Sequence, residues 1–440
     1  MKRLIIWIAL TLLLLTFIFA QNALAFDDHW TLYNFNNHYQ PAKNEPVSGA
    51  YLGAYVLQEI SINNDMQVFN EMVGKDHVTY FKYVGYGRPF PQDWVDDVIN
   101  KGGIPHIAWE PNHGLQQVKD DQYLHNFAKA IRDTKTPVFI RFASEMNGTW
   151  AAYSGDPDQY IETWRMVHDI LEEIAPNAIM LWSVFTFPEY SIAQYYPGDE
   201  YVDWVGVNIY NVLYHNDDIH HKSDGEDPLR LLDYVYDMFS SRKPIHISEY
   251  GASNYTTTDN QHHSAFAIAK INRLYTQLPF RYPRVKAITY FNVNNVDALN
   301  DVYEERRINN YALTTNSDVL HAYREIILDD HYLNTIQETA ETFKETLSFN
   351  YRYFLLDGKL YVDQDFFVNN LGLHIETQDS TWITLTDGDR SIPAHIIRQT
   401  KPRTFYDQTV TIKGIPLREV AEYFGYQLHL DFTQKSIWVD

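Results

Sequence analysis

The chain has 440 residues, with 35 Lys and Arg against 57 Asp and Glu for a formal net charge of −22, and with 45% hydrophobic and 15% aromatic residues. This composition excludes disorder and supplies apolar material for two or three globular domains. It also opposes nucleic acid or an anionic membrane as partner, because both are bound mainly by Lys and Arg neutralising phosphate. The 33 Tyr, 24 Phe and 10 Trp offer many flat apolar faces, and stacking on neutral rings is one use for them besides filling a core.

Residues 1–25 read as an export signal: Lys2 and Arg3, an apolar run from Leu4 to Ala20, then Ala23-Leu24-Ala25 as a small-x-small cleavage site. The mature chain is then expected to begin near Phe26 and to be secreted or held at the cell surface. An uncleaved anchor is the alternative, since the run is nearly long enough to span a bilayer. Beyond it no stretch of 18 consecutive apolar residues occurs, so no membrane contact is expected after signal cleavage. Cys is absent, which removes disulfides, thiolate metal sites and Cys nucleophiles. An exported chain without disulfides needs a large core.

Eight β-branched and aromatic runs follow in order: Tyr51–Leu57, Val78–Tyr86, Ile104–Trp109, Pro137–Phe142, Ala178–Phe185, Val202–Tyr210, Pro244–Tyr250 and Val285–Val293. Several are apolar without alternation, as parallel strands buried on both faces are. Helical periodicity fills most of the gaps. The clearest helix starts at Asp156 as N-cap, with Pro157 at its first position and Tyr160, Trp164, Val167, Leu171 and Ile174 on one face. Eight strand-then-helix units predict an α/β fold, a (β/α)8 TIM barrel over residues 26–348, in preference to a doubly wound sheet. Residues 315–348 are expected to be helical, with Leu333, Ile336, Ala340, Phe343 and Leu347 at helical spacing. From Tyr351 the pattern changes to short strands and turns. The passages FFVNNLGLHIETQDSTWITL and PLREVAEYFGYQLHLDFTQKSIWV each read as a helix, a Gly and two strands, so 350–440 is expected to be a separate small α+β repeat module.

Reactive groups of such barrels sit at the C-terminal ends of strands. Glu145 ends the fourth run in RFASEMNGTW and Glu249 ends the seventh in PIHISEYG. Each follows an apolar strand that cannot solvate a charge, so each needs a partner or a purpose. Two carboxylates facing one pocket can cleave a sugar acetal, one donating a proton to the leaving oxygen while the other attacks the anomeric carbon. No glycine-rich phosphate loop follows any strand, and the pairs His220-His221 and His262-His263 lack metal-ligand spacing, because adjacent side chains diverge. The Asp217–Asp227 loop lacks a calcium-hand pattern. Neither a metal nor a cofactor is expected.

RFASEMNGTW, the helix with WRMVHD, YYPGDEYVDWVGVNIY and PIHISEYG, in this order, resemble glycoside hydrolase family 26 over roughly residues 50–325. The resemblance implies a secreted retaining β-glycoside hydrolase of endo-β-1,4-mannanase type, with β-glucan, β-xylan or an exopolysaccharide as other substrates. It implies Glu145 as general acid/base, Glu249 as nucleophile, Tyr210 within hydrogen-bonding reach of the nucleophile and Trp150 against a sugar ring. Arg141 is expected to keep Glu249 ionised, and Trp109, Glu110, Trp182 and Tyr153 to form pocket walls. Two positions depart from the family. Ser144 stands before the acid where its mannanases usually have His, and strand eight offers Tyr290-Phe291 where many related barrels end on Trp. A catalytically impaired polysaccharide-binding or envelope protein is the alternative reading. The 350–440 module resembles the small repeated domain related to the N-terminal domain of copper amine oxidases, which implies no copper here and suggests attachment to cell wall or polymer.

Overall fold

The structure is a computed structural model and describes residues 31–34, 41–240, 242–297, 306–337, 347–349, 353–356, 359–403, 408–431 and 436–439. The export signal expected over 1–25 lies outside the described residues. Eight parallel strands close on themselves: β1 (Ala50–Tyr55), β2 (Thr79–Gly85), β3 (Ile104–Glu110), β4 (Val138–Phe142), β5 (Ala178–Phe185), β6 (Trp204–Asn211), β7 (Ile245–Ala252) and β8 (Val285–Phe291). Each strand pairs with the next, and β8 returns to β1 through Ala287 opposite Tyr51 to Phe291 opposite Tyr55. The (β/α)8 barrel expected from the eight runs is therefore formed.

Helices α1 (Met66–Val73), α2 (Gln92–Asn100), α3 (Gln122–Asp133), α4 (Pro157–Ile174), α5 (Pro228–Phe239), α6 (Ser264–Arg281) and α7 (Ser317–Ile327) follow the strands, except after β5, where only the four-residue helix Glu189–Ile192 and two short 3-10 turns lead to β6. No helix among the described residues is long and apolar enough to cross a membrane. α4 begins as its sequence dictates. Asp156 accepts from the Gln159 amide at 3.0 Å, Pro157 starts the helix, and Tyr160, Trp164, Val167 and Leu171 are buried. Burying four such side chains contributes on the order of 1.5–3 kcal/mol each before entropy is counted.

The expected helix over 315–348 is corrected. α7 ends at Ile327, Tyr332–Leu333 is a short strand parallel to β1, and Leu347–Phe349 is a strand. The backbone of Ala50 donates to His331 at 2.8 Å, so the segment carrying Leu333 satisfies its polar groups against the barrel edge and not by helical turns. Residues 338–346, with Ala340 and Phe343, lie outside the described residues.

The two C-terminal passages fold alike. Gln364–Leu371, Gly372 and strands His374–Gln378 and Trp382–Thr386 match Leu417–Tyr423, Gly425 and strands Leu428–Asp431 and Ser436–Val439. Phe366, Phe367, Leu371, Ile383, Leu385 and Val420 belong to a hydrophobic cluster distinct from the barrel core. The strand Thr31–Asn34, before the barrel, pairs with Ser436–Val439 and with Leu347–Phe349.

His77, just before β2, is buried against Tyr323 of α7, its Nε2 lying 2.9 Å from the hydroxyl. Burial pushes its pKa down to about 3. The unfolded chain takes up a proton near 6.5 that the fold refuses, so this stability is complete above pH 6.5 and is lost as pH falls toward 3. Urea melts at pH 7.5 and pH 5 are expected to show a fall that His77→Gln reduces by about 2 kcal/mol; equal slopes in the two proteins would contradict a neutral buried imidazole.

Candidate active site

Glu145 lies three residues beyond β4, in a turn where Ala143 and Glu145 both adopt left-handed backbone with φ 45° and 58°. That conformation is uncommon for residues with a Cβ and persists only where surroundings impose it. Here the Ala143 amide donates to Trp109 at 3.0 Å, the Glu145 amide donates to Ser183 at 3.0 Å, and the Tyr160 hydroxyl donates to Ala143 at 3.2 Å. Strands β3 and β5 and helix α4 therefore hold the turn from three sides.

The Glu145 carboxyl receives Asn208 Nδ2 at 2.7 Å and Trp150 Nε1 at 2.9 Å. A Cβ at Gly148 would sit 2.5 Å from the Trp150 ring. Any larger residue there would displace the indole from Glu145. Burial, and then the charge of Glu249, push the Glu145 pKa up to about 7, against the two hydrogen bonds and Arg141, which lower it.

Glu249 lies inside β7, opposite Asn208 of β6, and not in a turn after the strand. Arg141 of β4 donates to its Oε1 at 2.6 Å, Tyr83 of β2 donates to the same oxygen at 2.6 Å, and Tyr210 of β6 donates to Oε2. Burial and the Glu249 charge raise the Tyr210 pKa well above its ordinary value, so the hydroxyl keeps the proton it donates. The Arg141 guanidinium lies over Phe81 and Tyr83, 4.9 and 5.5 Å from their ring centroids. Beneath it, burial and the Arg141 charge lower the His106 pKa well below the usual range and that of His246 to about 3. Both imidazoles are neutral, so Arg141 supplies the positive charge at this depth. A Cβ at Gly251 would approach the Tyr210 and Tyr311 rings to 3.0 Å, and glycine there leaves room for the Tyr210 ring.

The structure thus brings Glu145, Glu249, Arg141, Tyr210 and Trp150 together. It places the four expected wall residues differently from one another. Glu110, at the end of β3, accepts from Ser144 N at 3.2 Å, Ser144 Oγ at 2.6 Å and Tyr153 at 2.5 Å. Glu110 and Tyr153 are each 8% exposed, behind the acid. Trp109 and Trp182 are corrected: both are fully buried on the helix side of the sheet. Trp109 stacks on Phe127 of α3 at 4.0 Å, and Trp182 meets Tyr196 and Phe239 edge-on. The cause is the period of two along a strand. Trp109 and Glu110 are adjacent and face opposite ways. At the end of β8, Tyr290 is buried and donates to the Tyr311 carbonyl at 3.0 Å, while Phe291 meets Tyr210 at 5.6 Å.

Tyr83 and Asn208 were not identified from the sequence. Their signal is alternation: Phe81 and Tyr83 share one face of β2, as Asn208 and Tyr210 share one face of β6. Among the described residues no group of three His, Asp or Glu is placed to hold a metal ion.

Residues 98–224 match the model of Glycosyl hydrolase family 26. Endoglucanase H of Acetivibrio thermocellus is 25% identical over 183 residues, covering 37% of this chain and 20% of its own length. The beta-1,3-xylanase TXYA of Vibrio sp. is 30% identical over 107 residues, covering 22% of this chain and 23% of its own. The chain therefore spans about a fifth to a quarter of the length of these relatives. A GH26 β-mannanase of Bacteroides ovatus superposes with TM-score 0.46 and 13% identity, covering 67% of this chain and 92% of that one. The catalytic domain of a GH26 endo-β-1,4-mannanase of Bacillus sp. JAMB-750 gives TM-score 0.47 and 15% identity, covering 68% and 94%. The matched segment contains Glu145, Asn208 and Tyr210 and ends before Glu249. The family model matched over residues 98–224 is that of the family which the motifs resemble.

Proposed function

We propose that the chain is a secreted retaining β-glycoside hydrolase, of endo-β-1,4-mannanase type, that cleaves a β-linked polysaccharide by double displacement. The observation that carries this reading is the opposition of two carboxyls: Glu145, pushed up to about 7 by burial and by the charge of Glu249, beside Glu249, held by Arg141, Tyr83 and Tyr210. A carboxyl that keeps its proton near neutrality suits the acid, and one wrapped in three donors suits the nucleophile.

In this reading Glu145 donates its proton to the glycosidic oxygen while a Glu249 oxygen attacks the anomeric carbon, so that the C–O bond to the leaving sugar breaks as the glycosyl ester forms. Water then adds to the same carbon, Glu145 takes its proton, and Glu249 departs as carboxylate, giving net retention. Trp150, 50% exposed and tied by its N–H to Glu145, offers its ring to the departing sugar. Residues 1–25 serve export, and 350–440 serve attachment to cell wall or polymer.

The names of the relatives, an endoglucanase and a beta-1,3-xylanase, support keeping β-glucan and β-xylan in the substrate panel. Reducing-sugar release and product configuration on mannan, β-glucan, β-1,3-xylan and exopolysaccharides test the reading. Release with retained configuration is expected; binding without release would favour the impaired envelope protein instead. On the substrate that is cleaved, kcat/KM is expected to fall as pH rises through about 7, where Glu145 loses its proton. Glu145→Ala should abolish that alkaline limb and lower the rate by about 100-fold or more on poor leaving groups. An unchanged limb in the variant would refute the acid assignment.

A further inference from the structure

Glu110 is a buried third carboxylate that the double displacement does not use. Its two oxygens take three donors, Ser144 N, Ser144 Oγ and the Tyr153 hydroxyl, and that hydroxyl is also 2.7 Å from the Ser144 carbonyl. Ser144 is the residue between the left-handed Ala143 and Glu145. The side chain before the acid is therefore turned toward Glu110 at the end of β3, and both its amide and its hydroxyl are engaged by one carboxylate. A carboxylate suits the place because both of its oxygens accept, one from the Ser144 hydroxyl and the other from the Ser144 amide and the Tyr153 hydroxyl, whereas an apolar side chain would leave all three donors unmet.

We propose that Glu110 is a positioning residue for the proton donor: through Ser144 it fixes the left-handed turn that aims the Glu145 carboxyl between Asn208 and Trp150. The proposal rests on the reading of Glu145 as the acid. It assigns Glu110 a role other than the substrate-contacting wall expected from its place in the sequence, and it gives Ser144, which stands where the family's mannanases usually have His, a function of its own. Releasing the turn would let Glu145 swing toward water, which weakens proton donation while leaving Glu249 and its three donors untouched.

The test compares Glu110→Leu, which removes the acceptors for Ser144, and the milder Ser144→Ala with the parent on aryl β-mannobiosides and β-cellobiosides bearing phenol or 2,4-dinitrophenol as leaving group. Departing phenol needs the acid and dinitrophenolate does not. In both variants kcat for the phenyl glycoside is expected to fall at least about tenfold further than kcat for the dinitrophenyl glycoside, with KM little changed. Carboxyl ¹³C titration of Glu145 should move from about 7 toward the ordinary carboxylate range as the group gains water.

Equal losses on both leaving groups would reduce Glu110 to a structural residue. A change confined to KM would make it a sugar contact, and either result overturns the proposal. If the parent protein hydrolyses neither glycoside, the enzymatic reading is judged on the polysaccharide panel, and the Glu145 titration decides the positioning: a midpoint unmoved in both variants overturns it, and a lowered one sustains it.

Discussion

Glu249→Ala is expected to abolish turnover on every substrate the chain hydrolyses, by about 10⁴-fold or more, and added azide to restore part of it with a glycosyl azide of inverted configuration as product. The missing carboxylate removes the group that forms the covalent intermediate, and no neighbouring residue replaces it, since Tyr83 and Tyr210 are donors to Glu249 and Arg141 is its ion-pair partner. Azide fits for two reasons. It is small enough for the space left by the side chain, and its charge answers an Arg141 guanidinium that is fully buried. With Glu145 still protonating the leaving oxygen, azide attacks the anomeric carbon once, so the product is inverted. Wild-type rates in the variant would remove Glu249 from the mechanism.

The second large effect is expected from Arg141→Leu. Its side chain has no solvent exposure and that of Glu249 has 5%, so the pair has already left water. Replacing the cation alone leaves Glu249 charged in a site with only two hydroxyl donors. Removing one partner of a buried pair costs about 3–5 kcal/mol, and urea melts should show that loss at pH 7. Arg141→Lys should recover part of the stability as a point charge, without the planar guanidinium that lies over Phe81 and Tyr83. A stability change under about 1 kcal/mol for Arg141→Leu would mean that the pair is far better hydrated than its geometry implies.

Much of the barrel was legible because its strands are buried on both faces. The apolar run Ala178–Phe185 coincides with its strand, and the run Val285–Val293 extends two residues past the strand's end at Phe291. Such runs announce themselves by continuous apolarity and need no knowledge of their neighbours. Glu145 and Glu249 stood out for the same reason, as charges abutting sequence that cannot solvate them. The 315–348 stretch misled because Leu333 and Leu347 sit at helical spacing yet lie in strands that complete sheets begun far away in the chain.

By itself, then, the sequence determined that the chain forms eight buried strands, most of them followed by amphipathic helices, carries two carboxyls late in or just beyond such strands and repeats a helix-Gly-strand-strand unit at its C-terminus. These are properties of local periodicity. Only the tertiary structure decided which side of the sheet each residue faces and what meets it there: Trp109 and Trp182 toward the helices, Tyr83 and Asn208 toward the carboxyls, Glu110 beneath Ser144, and Thr31–Asn34 beside Ser436–Val439. The reason is that a period of two says that neighbours face opposite ways without saying which way is inward, and contacts across 34 residues, as between Glu110 and Ser144, or across 166, as between Tyr83 and Glu249, exist only once the barrel has closed.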